Sequence, residues 1–220
     1  KISKRVQKSQ RYRDKDKNMN GIILAGGKSS RMGFNKAFID IGGKSIIHKT
    51  VNLFKELFDE IIVVTNDPLW YEELNCLTVT DILKGAGSLG GIYTGLFHSS
   101  SEYNFVVACD MPFLNKEAIS RVIKFPEGWS ATAPYIMDRY HPLHAVYSKK
   151  CIKPIEEMIK AKDLRITNLF QKIKVKRLEE KDWLSNEHVL SSLDNINTKE
   201  DLHRIVKKII NPPPSLLHKT

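Results

Sequence analysis

Three cysteines, Cys76, Cys109 and Cys151, are all that the 220-residue chain contains. They are too few and too widely spaced for a disulfide framework or a paired-thiolate zinc site, and they suit a reducing compartment. Cys109 reads as a small packing residue rather than a reactive thiol. Long apolar runs are also missing: none approaches the about 18 residues that a membrane helix needs, and no apolar stretch follows the basic N-terminus as a secretory signal requires. The expectation is a cytoplasmic protein with no membrane partner. Acids are scarce too, 25 against 35 Lys and Arg, for a formal charge of +10. Residues 1–18 alone hold eight basic residues and two acids, so the excess is concentrated there. A uniformly basic nucleic-acid surface is therefore not expected, and 1–18 reads as a basic, disordered extension. The reading then places one domain over 19–211 and an unstructured tail over 212–220.

What is present is enough apolar content, 41%, for one sizeable core. From residue 20 onward, short β-branched runs alternate with amphipathic stretches, the pattern of a mainly parallel sheet flanked by helices. Strands are predicted at 21–25, 61–65, 77–80 and 105–109, and helices at 45–58, 69–74, 90–99 and 116–124. After Gly128 the rhythm changes: strands at 130–135 and 144–147 with a polar aromatic connection, a helix at 151–160, a strand at 173–177 and a last helix from 197 or 198 to 210. The domain thus divides into a nucleotide-binding half, about 19–125, and an acceptor-binding half, about 126–211.

The first strand runs into Gly26-Gly27-Lys28-Ser29-Ser30-Arg31-Met32-Gly33, with Lys36 close behind. Glycines at a strand end let backbone N–H groups approach phosphate with no Cβ in the way. Arg31 can grip phosphate oxygens with two bonds and Lys36 can serve as a point charge, a pairing that suits a triphosphate. The spacing from Gly21 to Gly27 is one residue too long for a Walker A loop. A dinucleotide fingerprint does occur at Gly85-Ala86-Gly87-Ser88-Leu89-Gly90, but it belongs to no opening βαβ unit and Asp81-Ile82-Leu83-Lys84 separates it from its strand. Asp110, predicted at the C-terminal edge of a central strand, stands where open α/β sheets bind ligands, and a carboxylate there can hold Mg²⁺ against a triphosphate. Asp81 can accept from the donor edge of guanine or from a ribose hydroxyl. Asn197 or Thr198 can equally serve as a plain helix cap.

Leu24-Ala25-Gly26-Gly27-Lys28-Ser29-Ser30-Arg31-Met32-Gly33-Phe34-Asn35-Lys36 resembles the LAGGxSxRMGxxK signature of the molybdenum cofactor guanylyltransferase family. Three further segments resemble that family in order: Asp81 with Gly87-Ser88-Leu89-Gly90-Gly91-Ile92, where Ser88 replaces a proline; Cys109-Asp110-Met111-Pro112-Phe113; and Asn195-Ile196-Asn197-Thr198, where Lys199 replaces a proline. Arg139-Tyr140-His141-Pro142 is similar to its RxHP segment. The resemblance spans about residues 20–203. It implies an α/β, Rossmann-like three-layer fold with a mainly parallel sheet, of the nucleotide-diphospho-sugar transferase type. It also implies transfer of GMP from GTP to molybdopterin, with Mg²⁺ or alternatively Mn²⁺ as cofactor and Asp110 as metal ligand. Arg31, Lys36 and Asp110 are the implied catalytic residues. Leu24, Ala25, Gly26, Gly27, Lys36, Asn66, Asp81, Gly87, Leu89, Gly90 and Asp110 are implied around GTP, and Arg139, His141, Pro142, Asn195 and Asn197 around the acceptor. Other molybdenum-cofactor assembly proteins are implied partners. Three alternatives remain open: a cytidylyl or sugar-nucleotide transferase of the same fold, an NAD-binding oxidoreductase and a basic RNA-binding module.

Overall fold

The computed structural model describes residues 19–26, 35–124, 128–183 and 187–210. The basic extension 1–18, the tail 212–220 and two of the expected site residues, Gly27 and Arg31, lie outside the described residues.

Four strands follow the predicted order: β1 (Met19–Leu24), β2 (Ile61–Val64), β3 (Leu77–Val79) and β4 (Tyr103–Ala108). β1 lies between β2 and β4, parallel to both, and β3 adds parallel to β2. Period-two alternation then sorts the side chains. Ile23, Ile61, Val63, Phe105 and Val107 face one core, which holds α1 (Ile46–Lys55) and α3 (Lys116–Ile123). Ile22, Leu24, Ile62, Val64 and Val106 face the other, which holds α2 (Gly87–His98) and α4 (Ile152–Lys160). Strands covered on both faces must be apolar throughout, hence the unbroken IIVV and FVVA runs. The approach of α2 to β1 depends on Gly95, where a Cβ would sit 2.6 Å from Ile22 Cγ2.

Beyond β4 the sheet turns mixed. β7 (His144–Ser148) pairs antiparallel with β4, and β5 (Ala131–Ile136) pairs antiparallel with β7. β5 therefore runs in the same direction as β1 and β4, and its C-terminus lies along the same sheet edge as theirs. β8 (Val175–Glu179) is parallel to β5, two residues later than the predicted strand. The connection expected after β5 is a hairpin instead. Met137 and Asp138 adopt φ of 50° and 56°, and β6 (Arg139–Tyr140) folds back on Tyr135 and Ile136. Two consecutive left-handed residues give the tight-turn geometry that matches strand twist, and no glycine signalled it in the sequence.

Other departures have local causes. The predicted helix at 69–74 is a 3-10 turn over Pro68–Leu74, ended by Asn75 at φ 50°. α2 opens at Gly87 rather than Gly90, because the Gly90 N–H already donates to the Ala86 carbonyl. Asp81 lies two residues past β3 rather than at its end. α5 (Ile166–Leu169) and α6 (Glu187–Ser191), not anticipated, close the two faces, and α7 (Lys199–Ile210) is the terminal helix. A small separate core of Ile41, Ile46, Ile196 and Ile205 ties α7 and the segment before it to the start of α1.

Candidate active site

The chain after β1 leads to α1 on one face, and the helix that feeds β4 packs on the other. The crevice between the C-termini of β1 and β4 is therefore the topological switch point, the place where open α/β sheets bind ligands. Gly26 leaves β1 there and Asp110 leaves β4. The two ends are clamped side by side, since the Cys109 N–H donates to the Leu24 carbonyl at 3.0 Å, while the Ala25 N–H donates to the Val64 carbonyl of β2 at 2.8 Å. Burial and the Asp110 carboxylate push the Cys109 thiol up to about 12, so it stays protonated and serves as packing.

Lys36 reaches this crevice from a 3-10 turn whose position is fixed by Asn35. The Asn35 Oδ1 accepts the Ala37 N–H at 3.1 Å and its Nδ2 donates to the Tyr71 hydroxyl at 2.9 Å. Tyr71, fully buried, passes its own proton to the Ala25 carbonyl at 3.4 Å, so one phenol ties together the two ends that flank residues 27–34. This residue escaped the sequence reading, although a tyrosine in an apolar turn is itself a signal that its hydroxyl must find a partner. Asn66 adds a bond from Nδ2 to the Gly26 carbonyl at 3.3 Å.

The Lys36 ammonium donates to the Ile196 carbonyl at 2.7 Å and stands 3.9 Å from Asp110 Oδ2. The Ile196 N–H in turn donates to the Asp110 carbonyl at 2.9 Å. Three stretches separated by scores of residues thus meet around one charge pair. Burial raises the Asp110 carboxyl above its ordinary range, against the opposing pull of Lys36 and of backbone donors. Asp110 Oδ1 and Asn195 Oδ1 are both buried and have no hydrogen-bond partner among the described residues. Asp110 stands beside the lysine and Asn195 next to Ile196, which bonds to both Lys36 and Asp110. Buried oxygens left unsatisfied there are costly in an empty protein and fit a divalent cation such as Mg²⁺, which takes one or two protein oxygens and otherwise substrate oxygens. Asn197 is exposed, and the next turn is a reciprocal cap: Asp201 accepts from the Asn197 and Thr198 N–H groups, and Thr198 Oγ1 accepts from Asp201 N–H.

Beside α2, Asp81 Oδ1 accepts the Thr94 hydroxyl at 3.0 Å and the Leu83 N–H at 3.3 Å, leaving Oδ2 with no partner among the described residues. Gly90 is required by packing: a Cβ there would lie 2.8 Å from Ala86 Cβ and 3.0 Å from the Leu83 carbonyl. Leu24 and Leu89 are core side chains, so they can meet a ligand only through the backbone, and Gly87 opens α2 at φ 59°.

Between β6 and β7, the His141 N–H donates to the Pro134 carbonyl at 3.0 Å, and the Tyr147 hydroxyl donates to the Pro142 carbonyl at 2.7 Å. Burial, then the nearby Arg139 charge, lower the His141 pKa to about 4, so the ring is neutral at pH 7; Asp194 pulls the other way and shows that this loop faces the Asn195 segment. Arg139 is exposed beside it. The structure thus brings Lys36, Asp110 and the segment around Ile196 together, ties Asn66 to Gly26 and Asp81 to α2, and carries Arg139 and His141 at the end of the β5–β6 hairpin.

The MobA-like NTP transferase domain matches residues 21–177. The chain belongs to that family. A molybdenum cofactor guanylyltransferase from Desulfosudis oleivorans is 37% identical over 186 residues, covering 84% of this chain and 92% of its own length. The molybdopterin-guanine dinucleotide biosynthesis protein A of Archaeoglobus fulgidus superposes with a TM-score of 0.75 at 27% identity, over 86% of this chain and 97% of that one. A 2-C-methyl-D-erythritol 4-phosphate cytidylyltransferase from Thermus thermophilus shares the fold, at TM-score 0.63 and 16% identity, over 86% of this chain and 98% of that one. The MobA-like chain is therefore a nucleotidyltransferase, a class that generally works with a divalent metal. Among its described residues no helix is long and apolar enough to cross a membrane.

Proposed function

We propose that this nucleotidyltransferase moves GMP from GTP onto the terminal phosphate of molybdopterin, releasing pyrophosphate and forming the guanine dinucleotide cofactor. The observation that carries the reading is the meeting of Lys36, Asp110 and the Asn195–Asn197 segment at the switch point, in a chain 37% identical to a guanylyltransferase of that name. An oxygen of the acceptor phosphate attacks the α-phosphorus in line, the α–β bridging bond breaks, and its electrons leave on pyrophosphate. A phosphate monoester is already an anion at pH 7, so no strong general base is needed and the work is positioning and charge neutralisation.

Lys36 meets the charge developing on the α-phosphate, and Arg31 with the backbone of Gly26 and Gly27 cradles the other phosphates. Asp81 Oδ2 and the Asn66 amide address the base and ribose. Asp110, with Asn195, would hold Mg²⁺ or Mn²⁺, which when bound supplies neutralisation of the triphosphate. The neutral His141 ring donates a hydrogen bond to the acceptor phosphate, and Arg139 pairs with its charge. A cytoplasmic setting goes with this reading.

Thermal unfolding of the purified protein with Mg²⁺ and each of GTP, CTP, ATP, UTP and NAD tests it, since a ligand at about a hundred times its Kd adds roughly 2.7 kcal/mol. A GTP-selective rise followed by GMP transfer to molybdopterin is the expected result. Selective stabilisation by CTP would keep the fold and replace the product, and a response to NAD alone would overturn the assignment.

A further inference from the structure

We propose that Arg177, Tyr135 and Tyr140 form the platform on which the flat ring system of the acceptor rests. The inference builds on the reading of the acceptor as a phosphorylated pterin.

Tyr135 occupies a central place in the acceptor half, because it pairs with Tyr140 on one edge of β5 and with Glu179 on the other. Arg177 pairs with Ala133 one step back, on the same face as Tyr135. Its guanidinium carbon stands 3.7 Å from the Tyr135 ring centroid and 5.9 Å from that of Tyr140. The two phenol rings meet edge to face at 4.9 Å, and Tyr140 is backed by the buried Phe170 at 4.6 Å. Glu179 Oε1 stands 3.3 Å from the Arg177 Nε as an ion pair on the same strand. The Arg177 side chain lies against the tyrosine ring yet remains 44% exposed, so a ligand can still reach it.

Position gives this stack a purpose. β5 ends along the same sheet edge as β1 and β4, and only β7 lies between β4 and β5. Two strand spacings of about 4.8 Å put Tyr135 roughly 10 Å from the line of β4. That separation matches an acceptor whose phosphate sits at the switch point and whose ring lies one short linker away. The same hairpin carries Arg139 and His141, the groups assigned to that phosphate. A planar cation can stack on a heteroaromatic ring while its N–H fork meets ring acceptors, which a lysine cannot do. Surface pairing for stability alone would leave the acceptor indifferent to these side chains.

The test uses the full chain with two readouts: steady-state GMP transfer to molybdopterin, and quenching of the fluorescence of a 6-substituted pterin monophosphate on binding. Arg177→Ala is expected to raise the KM for molybdopterin and the Kd of the pterin probe about tenfold, with kcat and GTP affinity unchanged. Arg177→Lys should be as defective as alanine, because charge without a plane does not stack. Thermal unfolding midpoints of the two Arg177 variants equal to that of the wild type guard against mere misfolding. Unchanged KM and probe binding in Arg177→Ala, or full function in Arg177→Lys, overturns the platform while leaving the transferase reading intact. If the wild type fails to use molybdopterin yet quenches the pterin probe in an Arg177-dependent way, the platform stands and the transferase reading falls.

Discussion

Between β1 and β4 the groups that face the crevice come from short stretches following parallel strands, and many are main-chain or small. Beyond β7 the groups proposed for the acceptor come from a hairpin, an edge strand and the segment before α7, and all are side chains: Tyr135, Arg139, Tyr140, His141, Arg177 and Asn195. A triphosphate needs dense N–H donors and close approach, which glycine turns at strand ends supply. A ring-bearing acceptor needs shape and stacking, which only side chains held in register can give. The two halves share the β4–β7 ladder and the packing of α2 with α4, and at the crevice they join through Lys36, Asp110 and Ile196. Lys36 of the first half bonds to the carbonyl of Ile196, and Ile196 bonds back to Asp110.

The largest expected effect lies at that joint. Asp110→Ala should lower kcat for GMP transfer by about a hundredfold or more, the several kcal/mol of charge stabilisation that a metal site supplies. Pyrophosphate release measured with saturating substrates checks it. A variant that keeps full magnesium-dependent turnover removes Asp110 from the metal site and leaves the joint a structural one.

A next effect separates packing from chemistry in the nucleotide half. Gly95→Ala puts a methyl 2.6 Å from Ile22 Cγ2, between α2 and β1. Overpacking of this kind costs about 1–3 kcal/mol, only partly offset by the better helix propensity of alanine. Urea unfolding should show the loss. Stability equal to wild type would mean that β1 and α2 need no glycine between them.

The acceptor half has its own buried polar centre in His144. Its Nε2 lies 3.2 Å from Ser192 Oγ, which also accepts the Asn115 N–H at 3.4 Å, three residues before Asn195. Full burial lowers the His144 pKa from 6.5 to about 3. Below pH 6.5 the unfolded chain takes up a proton that the native ring refuses, so stability falls as the pH drops through the window from 6.5 toward 3. At pH 5 this single group costs roughly 2 kcal/mol relative to pH 7. His144→Gln should therefore show a smaller stability difference between pH 7 and pH 5 by about that amount, read from denaturant midpoints. His141, lowered to about 4, gives the wild type a second contribution of the same sign. An identical pH difference in variant and wild type would show that the ring takes up protons in the native state.

The contrast between the halves also explains what could be read from residues alone. Gly26 to Lys36 is a contiguous signature, and Asp110 follows an apolar run whose strand character is plain, so the nucleotide side was legible. Arg177, Tyr135 and Tyr140 come together only through pairing of β5 with β6 and β8, and no local spacing reports such a register. The Met137-Asp138 turn hid for a related reason: non-glycine residues hold the left-handed angles. Ser192 and His144 are 48 positions apart, and the bond between them is a product of tertiary packing. Tyr71 falls between these cases, since its place in the core was readable but its two partners were not.

Tyr71→Phe gives the finest test of the division. It removes one hydroxyl that donates to the Ala25 carbonyl and accepts from Asn35, while the ring keeps its packing against Phe38 at 5.2 Å. Each lost bond costs about 0.5–1.5 kcal/mol, and the half-buried Asn35 amide is left short of a partner. Because that phenol joins the two flanks of residues 27–34, the loss should appear as a KM for GTP raised by about three- to tenfold, near the cost of one bond. Tyr71 bonds to Ala25 and Asn35 and meets the ring of Phe38, none of them in the half assigned to the acceptor, so the KM for molybdopterin should stay at the wild-type value in the same titrations. Equal rises in both would mean that the flanks of the glycine segment and the Asn195 segment move as one body, and the two halves would then have to be treated as a single coupled site.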